Sequence, residues 1–477
     1  MRRFLRNPIR SGLLVIGFLL VRLGLARRRR IVEATDLAWP RIVTGIARMS
    51  KSMVDVAMVG IAIGPAAIAG VGFATPFWVL AFVFGGGIAG GTISLVSQRY
   101  GAGAHAEIDR AVKVSGLFVL LISVPLTLSY WFAPTWLISL IGSGDAAIQQ
   151  GASYLKVVGL AVPLAGLNLI CSRTLVGAND AWTPMVVRAG GAVANIILNA
   201  VLIFGFGLGV VGAALGTVIA TGLVAVTLVG GLFAGRIPGL GKLPVKLSPS
   251  GPHLSRKLSS QLTKIATPLV LANLVREGGQ FPLLAIVAMF GPNIVAAYVI
   301  AMRIRDFVNT PGWGFGLASS SLVGQALGTG REQSAEGYAY DTLRFTVAVY
   351  AAAATVVFIF AGSVGRLFVT DPDVLELTAP FIRVACISVV FWGITSGAIG
   401  PLRASGDTRW PFYGQVLGLF AFAIPIAYLG TISPLGVYAL YLAIFFETAI
   451  PAAVSYVRLR TGRWKLISRE FRPGAAR

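Results

Sequence analysis

Ser94-Leu95-Val96-Ser97-Gln98-Arg99-Tyr100-Gly101-Ala102-Gly103 and Ser321-Leu322-Val323-Gly324-Gln325-Ala326-Leu327-Gly328-Thr329-Gly330 read as one phrase written twice. Six of the ten positions are identical, and the copies stand 227 residues apart. The same offset pairs Asp180 with Asp407, Pro184 with Pro411, Lys156 with Arg383 and Gly209-Val210 with Gly436-Val437. An offset of 228 pairs Pro40 with Pro268 and Arg48 with Arg276. Anchors this widely separated and nearly constant in spacing show that the chain is a duplication. A fixed internal period sets the architecture before any single element is assigned.

What is repeated is apolar. Hydrophobic residues make up 56% of the 477 residues and charged ones only 12%, about half the charged share of an average soluble domain. A membrane helix needs about 20 mostly apolar residues. Twelve such stretches lie near 37–63, 68–97, 111–132, 151–177, 183–206 and 209–234, then 264–290, 293–325, 341–363, 378–402, 410–430 and 434–457. The expected fold is therefore all-α and polytopic, with twelve transmembrane helices in two pseudo-symmetric six-helix bundles. Six is even, so both copies enter the bilayer from the same face as parallel repeats about an axis along the membrane normal. The boundaries follow: an N-terminal arm over 1–35, a first lobe over 36–235, a linker over 236–263 rich in Pro, Gly and Ser, a second lobe over 264–460, and a basic tail over 461–477.

The formal net charge is +22. Nucleic-acid binding would be one use for it, but its placement argues for a membrane. Arg2, Arg3, Arg6, Arg10 and Arg27 to Arg30 crowd the arm; Arg236, Lys242, Lys246, Arg256 and Lys257 crowd the linker; Arg458, Arg460, Arg463, Lys465, Arg469, Arg472 and Arg477 crowd the tail. The intervening loops Gly60–Ala67, Gly205–Gly209, Phe290–Ala296 and Gly430–Gly436 carry no Lys or Arg, and the loop after the ninth helix carries only Arg366. This positive-inside pattern places both termini and the linker in the cytoplasm, where the basic segments favour anionic lipid. The apolar stretch in 11–25 is short for a span and reads as an interfacial helix, the alternative being a thirteenth span. Cys171 and Cys386 fall inside helices and suggest neither a disulfide framework nor a metal site. His105 and His253 fall in loops. An intramembrane enzyme would need clustered His, Cys or paired carboxylates at catalytic spacing, and the sequence has no such cluster.

Charges inside spans are expensive and mark functional candidates. Arg41, Arg48, Lys51 and Asp55 share one face of the first helix and should line a wet passage. Lys51 precedes Asp55 by one turn and can pair with it. Burial disfavours the charged carboxylate and the ammonium favours it, so Asp55 is the leading coupling residue; a static pair is the alternative. In the second half Arg276, Glu277, Arg303 and Asp306 are the expected cavity-lining charges, and Arg305 stands with Arg303 and Asp306 near the middle of the eighth helix; Glu277 is read as the partner of one of these arginines, the alternative being a second coupling site. Glu447 is internal without an assigned role. Asn195 and Asn199, one turn apart, and Thr217 are uncharged groups that could line the same cleft or merely join helices.

These residues carry a resemblance. Pro40, Val54-Asp55, Val59-Gly60, Gln98 with Gly101, Gly177 to Pro184, Asn195 to Asn199, Gly209 to Thr217, Gln325, Gly328 and Arg403-Ala404-Ser405-Gly406-Asp407 resemble the multidrug and toxic compound extrusion (MATE) family, nearest its prokaryotic DinF-like branch. The resemblance covers residues 36 to about 460. It implies twelve helices in a two-lobed V and export driven by entering protons or sodium ions. It also implies a helix-one bend at Pro40, and a first-lobe cation and proton site at Asp55, Asn195, Asn199, Thr217 and Tyr154. Two positions depart from the pattern: Asn199 stands where relatives often have a second carboxylate, and Trp392 stands about where another branch has its second-lobe carboxylate. Hard cations prefer carboxylate oxygens, so proton coupling leads sodium. The arginines and Lys51 make an anionic amphipathic or lipid-linked cargo the alternative to a cationic one. A related lipid-linked oligosaccharide flippase often carries two extra helices. The expectation is thus a monomeric secondary transporter of the cell membrane, not an enzyme. It should have no cofactor beyond the transported ion, and its partners should be a small-molecule substrate and membrane lipids.

Overall fold

The computed structural model describes residues 7–142, 144–250, 255–369 and 371–473; Arg2, Arg3, Arg6, His253 and Arg477 lie outside the described residues. The chain is helical nearly throughout. The twelve expected stretches correspond to twelve rods: Arg28–Ile63, Pro65–Gly101, His105–Phe132, Asp145–Gly177, Trp182–Gly205 and Gly209–Ala234, then Arg256–Ala288, Pro292–Gly328, Glu332–Ile359, Pro372–Ser405, Arg409–Ile432 and Val437–Arg460. We call them spans one to twelve. Among the described residues, eight are long and apolar enough to cross a membrane on length and composition alone. Span four makes a ninth, bent by 50° between Val158 and Ala161. The remaining three fall short of that test: spans one and seven carry many charges, and span eight is broken at Asn309 into Pro292–Val308 and Thr310–Gly328.

The duplication is written in the backbone. Left-handed residues close the turns in pairs: Gly64 and Gly291, Gly103 and Gly330, Asn179 and Gly406, Gly209 and Gly436. Each pair is separated by the repeat offset of 227. Gly64 and Gly291, at φ 106° and 98°, are each followed by a proline at the first helical position. Glycine takes the positive φ without steric cost and proline supplies a preset φ, so the chain reverses in a single residue.

Packing divides the chain into two compact units, residues 43–270 and residues 1–42 with 271–477. Both cuts fall inside helices, in spans one and seven, two residues after Pro40 and Pro268. The sequence boundaries at 35/36 and 263/264 mark the linker ends instead. In the first unit span two meets the start of span seven: a Cβ on Gly87 would lie 2.3 Å from Val270 Cγ2, and one on Gly91 2.7 Å from Leu262 Cδ1. In the second unit span eight meets the start of span one in the same way: a Cβ on Gly314 would lie 2.6 Å from the Ala38 carbonyl oxygen. Gly87 and Gly314 are equivalent positions, and small residues permit this close approach of helices in a membrane.

The linker is more ordered than its composition suggests. Arg236–Ile237 pairs antiparallel with Gly241–Lys242, Ile237, Val245 and Leu247 are buried, and residues 256–263 already form the first turns of span seven. The N-terminal arm contains Pro8–Arg22, a 15-residue helix capped by the Asn7 side chain. At about 22 Å it is shorter than the hydrocarbon core. It buries Leu13, Gly17 and Leu20, with Gly17 against Ile31 and Phe345. Ion pairs gather near the helix ends on the basic side: Arg30 with Asp341, Lys465 with Glu336, and Arg458 with Asp407 at 2.6 Å. Burial pushes the Asp407 carboxyl above its ordinary range against the pull of Arg458. Cys171 and Cys386 are buried and free; His105 is exposed at the start of span three, with Tyr100 edge-on to its ring.

Candidate functional site

In the first unit a chain of polar groups runs across spans one, five and six. Lys51 Nζ donates to Asp55 Oδ2 at 2.6 Å. Asn199 Nδ2 donates to Asp55 Oδ1 at 2.7 Å and reaches Asn195 Oδ1 at 3.3 Å. Asn195 Nδ2 in turn donates to Thr217 Oγ1 at 3.2 Å. Tyr154 of span four lies within interaction range of both Thr217 and Asp55. All five residues that the resemblance implied therefore meet in one cluster. Asn195 and Asn199 are fully buried, while the Lys51 and Asp55 side chains keep 22% and 16% of their exposure, so the carboxylate sits between a dry scaffold and an accessible edge. It lies about 12 Å from the end of span one, taking 1.5 Å per residue.

Local sequence explains the assembly. The i, i+4 spacing of Lys51 with Asp55, and of Asn195 with Asn199, stacks each pair on one face of its helix. Gly216 lets span six close on span five: a Cβ there would stand 2.0 Å from Asn199 Oδ1. Val201–Gly205 then widens into a π-turn, a one-residue insertion frequent at functional positions. Arg48 is exposed and lies near Arg188 of span five, a charge the sequence reading did not single out. Arg188 Nη1 reaches Ser172 Oγ at 3.4 Å. Arg41, on the same helical face as Lys51, belongs to the other unit and stands over Trp313 at 6.0 Å.

The second unit holds a different cluster. Arg305 Nη1 donates to Glu447 Oε2 at 2.7 Å, with both side chains almost wholly buried (4% and 3% exposed). Gln280 Nε2 donates to Glu447 Oε1 at 3.1 Å. The Arg305 guanidinium lies over the Trp392 ring at 4.8 Å, a cation–π geometry. Tyr298 is buried beside the pair. Of the charges expected to line a passage, Arg276 and Glu277 pair with each other at 3.2 Å and are half-exposed, and Arg303 and Asp306 are exposed. The buried partner on span eight is Arg305. Helical spacing carries the signal: Tyr298, Ala301, Ile304, Arg305 and Val308 share the buried face, whereas Arg303 and Asp306 are rotated off it. Glu447 falls beside Ile444 and Ala443 on the inward face of span twelve.

Two duplicated six-helix bundles with polar clusters among their helices are the architecture of a polytopic membrane protein. Comparison fixes the family: the MatE family model matches residues 40–201 and again residues 268–429, so the chain belongs to the MatE, or multidrug and toxic compound extrusion, family of secondary transporters. It is 23% identical over 396 residues to the probable multidrug resistance protein YoeA of Bacillus subtilis, covering 82% of this chain and 84% of that one. It is 28% identical over 444 residues to the probable multidrug resistance protein NorM of Bradyrhizobium diazoefficiens, covering 90% and 93%. A crystal structure of MATE in the bent conformation matches with TM-score 0.84 at 21% identity, over 93% of this chain and 97% of that one. That likeness supports the two-bundle fold.

Proposed function

We propose that this protein is a proton-coupled antiporter that exports small organic compounds by alternating access, with Asp55 as the coupling carboxylate. The carrying observation is the competition built around that side chain. One carboxylate oxygen is held by Lys51 and the other by Asn199. A proton on Asp55 removes its charge, releases the Lys51 ammonium and turns one oxygen from acceptor to donor. The buried Asn195–Thr217 pair behind it fixes Asn199, so the change is felt in spans five and six together. Span one runs from Asp55 back across the cut between the packing units, after residue 42, to Pro40. A proline inside a helix lacks the N–H that would bond four residues back, so Pro40 is the place where span one bends as Asp55 changes state.

A proton suits this site better than sodium. Asn199 supplies an amide where a second carboxylate would strengthen a hard-cation site, and the Lys51 ammonium already occupies the position a bound cation would take. The cargo is expected from the multidrug-resistance relatives to be a small organic compound. The protein is read as a monomer of the cell membrane with both termini cytoplasmic, on the strength of the loop charges. In proteoliposomes under an imposed proton gradient, Asp55→Asn is expected to abolish efflux of ethidium while leaving folding intact. Undiminished efflux by this variant rejects Asp55 as the coupling group. A sodium gradient that drives the wild type as well as a proton gradient rejects the choice of ion.

A second reading, export of an anionic amphipathic or lipid-linked metabolite, is favoured by the arginine cluster of the second unit.

A further inference from the structure

We propose that Arg305, Tyr298 and Gln280 form a subsite for the anionic group of an amphipathic cargo, with Glu447 as the internal carboxylate that holds the site in its absence. This rests on the export reading and names the chemistry of the exported molecule. Three observations converge. The side chains around the Glu447 carboxylate are donors: Arg305 Nη1 at 2.7 Å, Arg305 Nη2 at 3.5 Å and Gln280 Nε2 at 3.1 Å. Two further donors beside it, Arg305 Nε and the Tyr298 hydroxyl, are buried without a hydrogen-bond partner among the described residues, and both residues are only 4% exposed. Buried donors normally find an acceptor; here three donor positions reach the Glu447 carboxylate, and two more, on Arg305 and Tyr298, have none. Finally, the site has an edge: Trp392 covers the guanidinium and is, like Gln280, only partly buried. It offers an apolar wall to the rest of a ligand whose charged end reaches Arg305.

Charge balance gives the exchange its pH dependence. Glu447 is faced by Arg305 and Tyr298 from span eight, with Asp306 near them. Span seven presents Gln280, span ten presents Trp392, and span eleven presents Gly418 against the Glu447 carbonyl. Farther out, Arg276 and Arg303 act on Asp306, and Glu277 is tied to Arg276. Three arginines against three carboxylates leave the cluster neutral. When an external anion takes over Arg305, a proton on the displaced Glu447 carboxylate restores neutrality. The proton therefore enters with the anion rather than against it, which leaves the driving role to Asp55 and makes anion binding tighter at lower pH.

Decyl sulfate is a suitable probe, because its headgroup stays ionised throughout the range in which carboxylates titrate. Binding of radiolabelled decyl sulfate would be measured on the full-length protein in phosphatidylcholine nanodiscs, against empty discs. Wild type is expected to bind more tightly at pH 5.5 than at pH 8, by at most tenfold per pH unit for uptake of a single proton. Glu447→Gln should bind tightly at both values. Arg305→Gln/Glu447→Gln removes the charges as a pair, which guards the fold, and should lose binding. Tyr298→Phe, which deletes only a hydroxyl, should weaken it several-fold. Decyl phosphate should compete and decyltrimethylammonium should not. Competition by phosphatidylglycerol placed in the disc would identify a lipid headgroup as the source of the anion; competition by inorganic sulfate would identify a free anion. Unchanged binding in the double variant, or equal competition by the cationic amphiphile, overturns the proposal. Asp55→Asn efflux tests the coupling separately, since that residue lies in the other unit. Normal efflux there leaves the anion result standing, and failure of the anion test leaves Asp55 standing.

Discussion

The first and second units descend from one repeat, yet neither carries the polar cluster of the other. At the positions equivalent to Asp55, Tyr154 and Thr217 the second unit carries Leu283, Phe381 and Ile444, all buried in its main apolar core. Opposite Asn195 and Asn199 stand Phe422 and Ile426. In span eleven, however, the π-turn covers Leu417–Ala423 rather than following that stretch, so the inward positions fall one residue later, on the fully buried Ala423 and Ala427. Conversely Arg305, Glu447, Gln280, Trp392 and Tyr298 correspond to Trp78, Ala220, Ser52, Ala165 and Val71 in the first unit. Duplication gave two interchangeable frames; burying a charge is expensive, and each frame retains it where it has a distinct use. The first cluster is partly exposed and built from one ion pair and amides, which suits reversible protonation. The second is the more deeply buried and is built around an arginine, which never gives up its charge and so suits recognition of an anion.

The comparison can be broken by transport first. If the units have divided their labour, Asp55→Asn should abolish proton-driven efflux while Leu283→Asn, at the equivalent place, should leave it measurable. Equal loss in both would mean that the assay reads folding. Stability is the next arm. Glu447→Leu leaves the Arg305 charge buried without its partner, and should destabilise the second unit by about 3–5 kcal/mol, the usual penalty for breaking a buried pair from one side. The drop would appear in the thermal unfolding midpoint in nanodiscs, and Arg305→Met/Glu447→Leu should recover most of it. Asn199→Leu removes a hydrogen bond to a partly exposed carboxylate that keeps Lys51, so its cost should be smaller, about 1.5–3 kcal/mol. A larger loss from Asn199→Leu than from Glu447→Leu would reverse the assignment of which ion pair is the more buried.

The fold was legible because its signals are long-range and redundant. Twelve apolar stretches, alternating loop charges and a constant offset all report the same topology, and the paired left-handed turns sit where that offset puts them. Two local pairs of the first cluster were legible too, Lys51 with Asp55 and Asn195 with Asn199 at i, i+4, while their meeting with one another and with Tyr154 was implied only by the resemblance. Three things were not legible. That packing cuts through spans one and seven depends on which glycines, such as Gly87 and Gly314, admit a neighbouring backbone, and a string of small residues does not say which helix will approach. The choice of Arg305 over Arg303 depends on helix rotation, and two residues of difference turn a side chain by about 200°. The role of Glu447 depends on a partner 142 residues away in sequence, a separation no local pattern carries.

The smallest expected effect is also the most direct test of how the frames diverged. Gly216 and Ala443 are equivalent positions on spans six and twelve. In the first unit a Cβ at Gly216 would stand 2.0 Å from Asn199 Oδ1 and 3.2 Å from the Asn199 backbone nitrogen. Gly216→Ala must therefore push the Asn199 amide, and with it the second hold on Asp55. Overpacking of this kind costs about 1–3 kcal/mol, and it should lower efflux as well as the unfolding midpoint. Ala443 already bears its Cβ, buried in the second unit's core. Ala443→Gly should cost about 1 kcal/mol, the ordinary penalty of glycine inside a helix, with efflux unchanged. If the two substitutions lowered efflux alike, the tight contact at Gly216 would be a packing detail common to both bundles and not a device for aiming Asn199 at the coupling carboxylate.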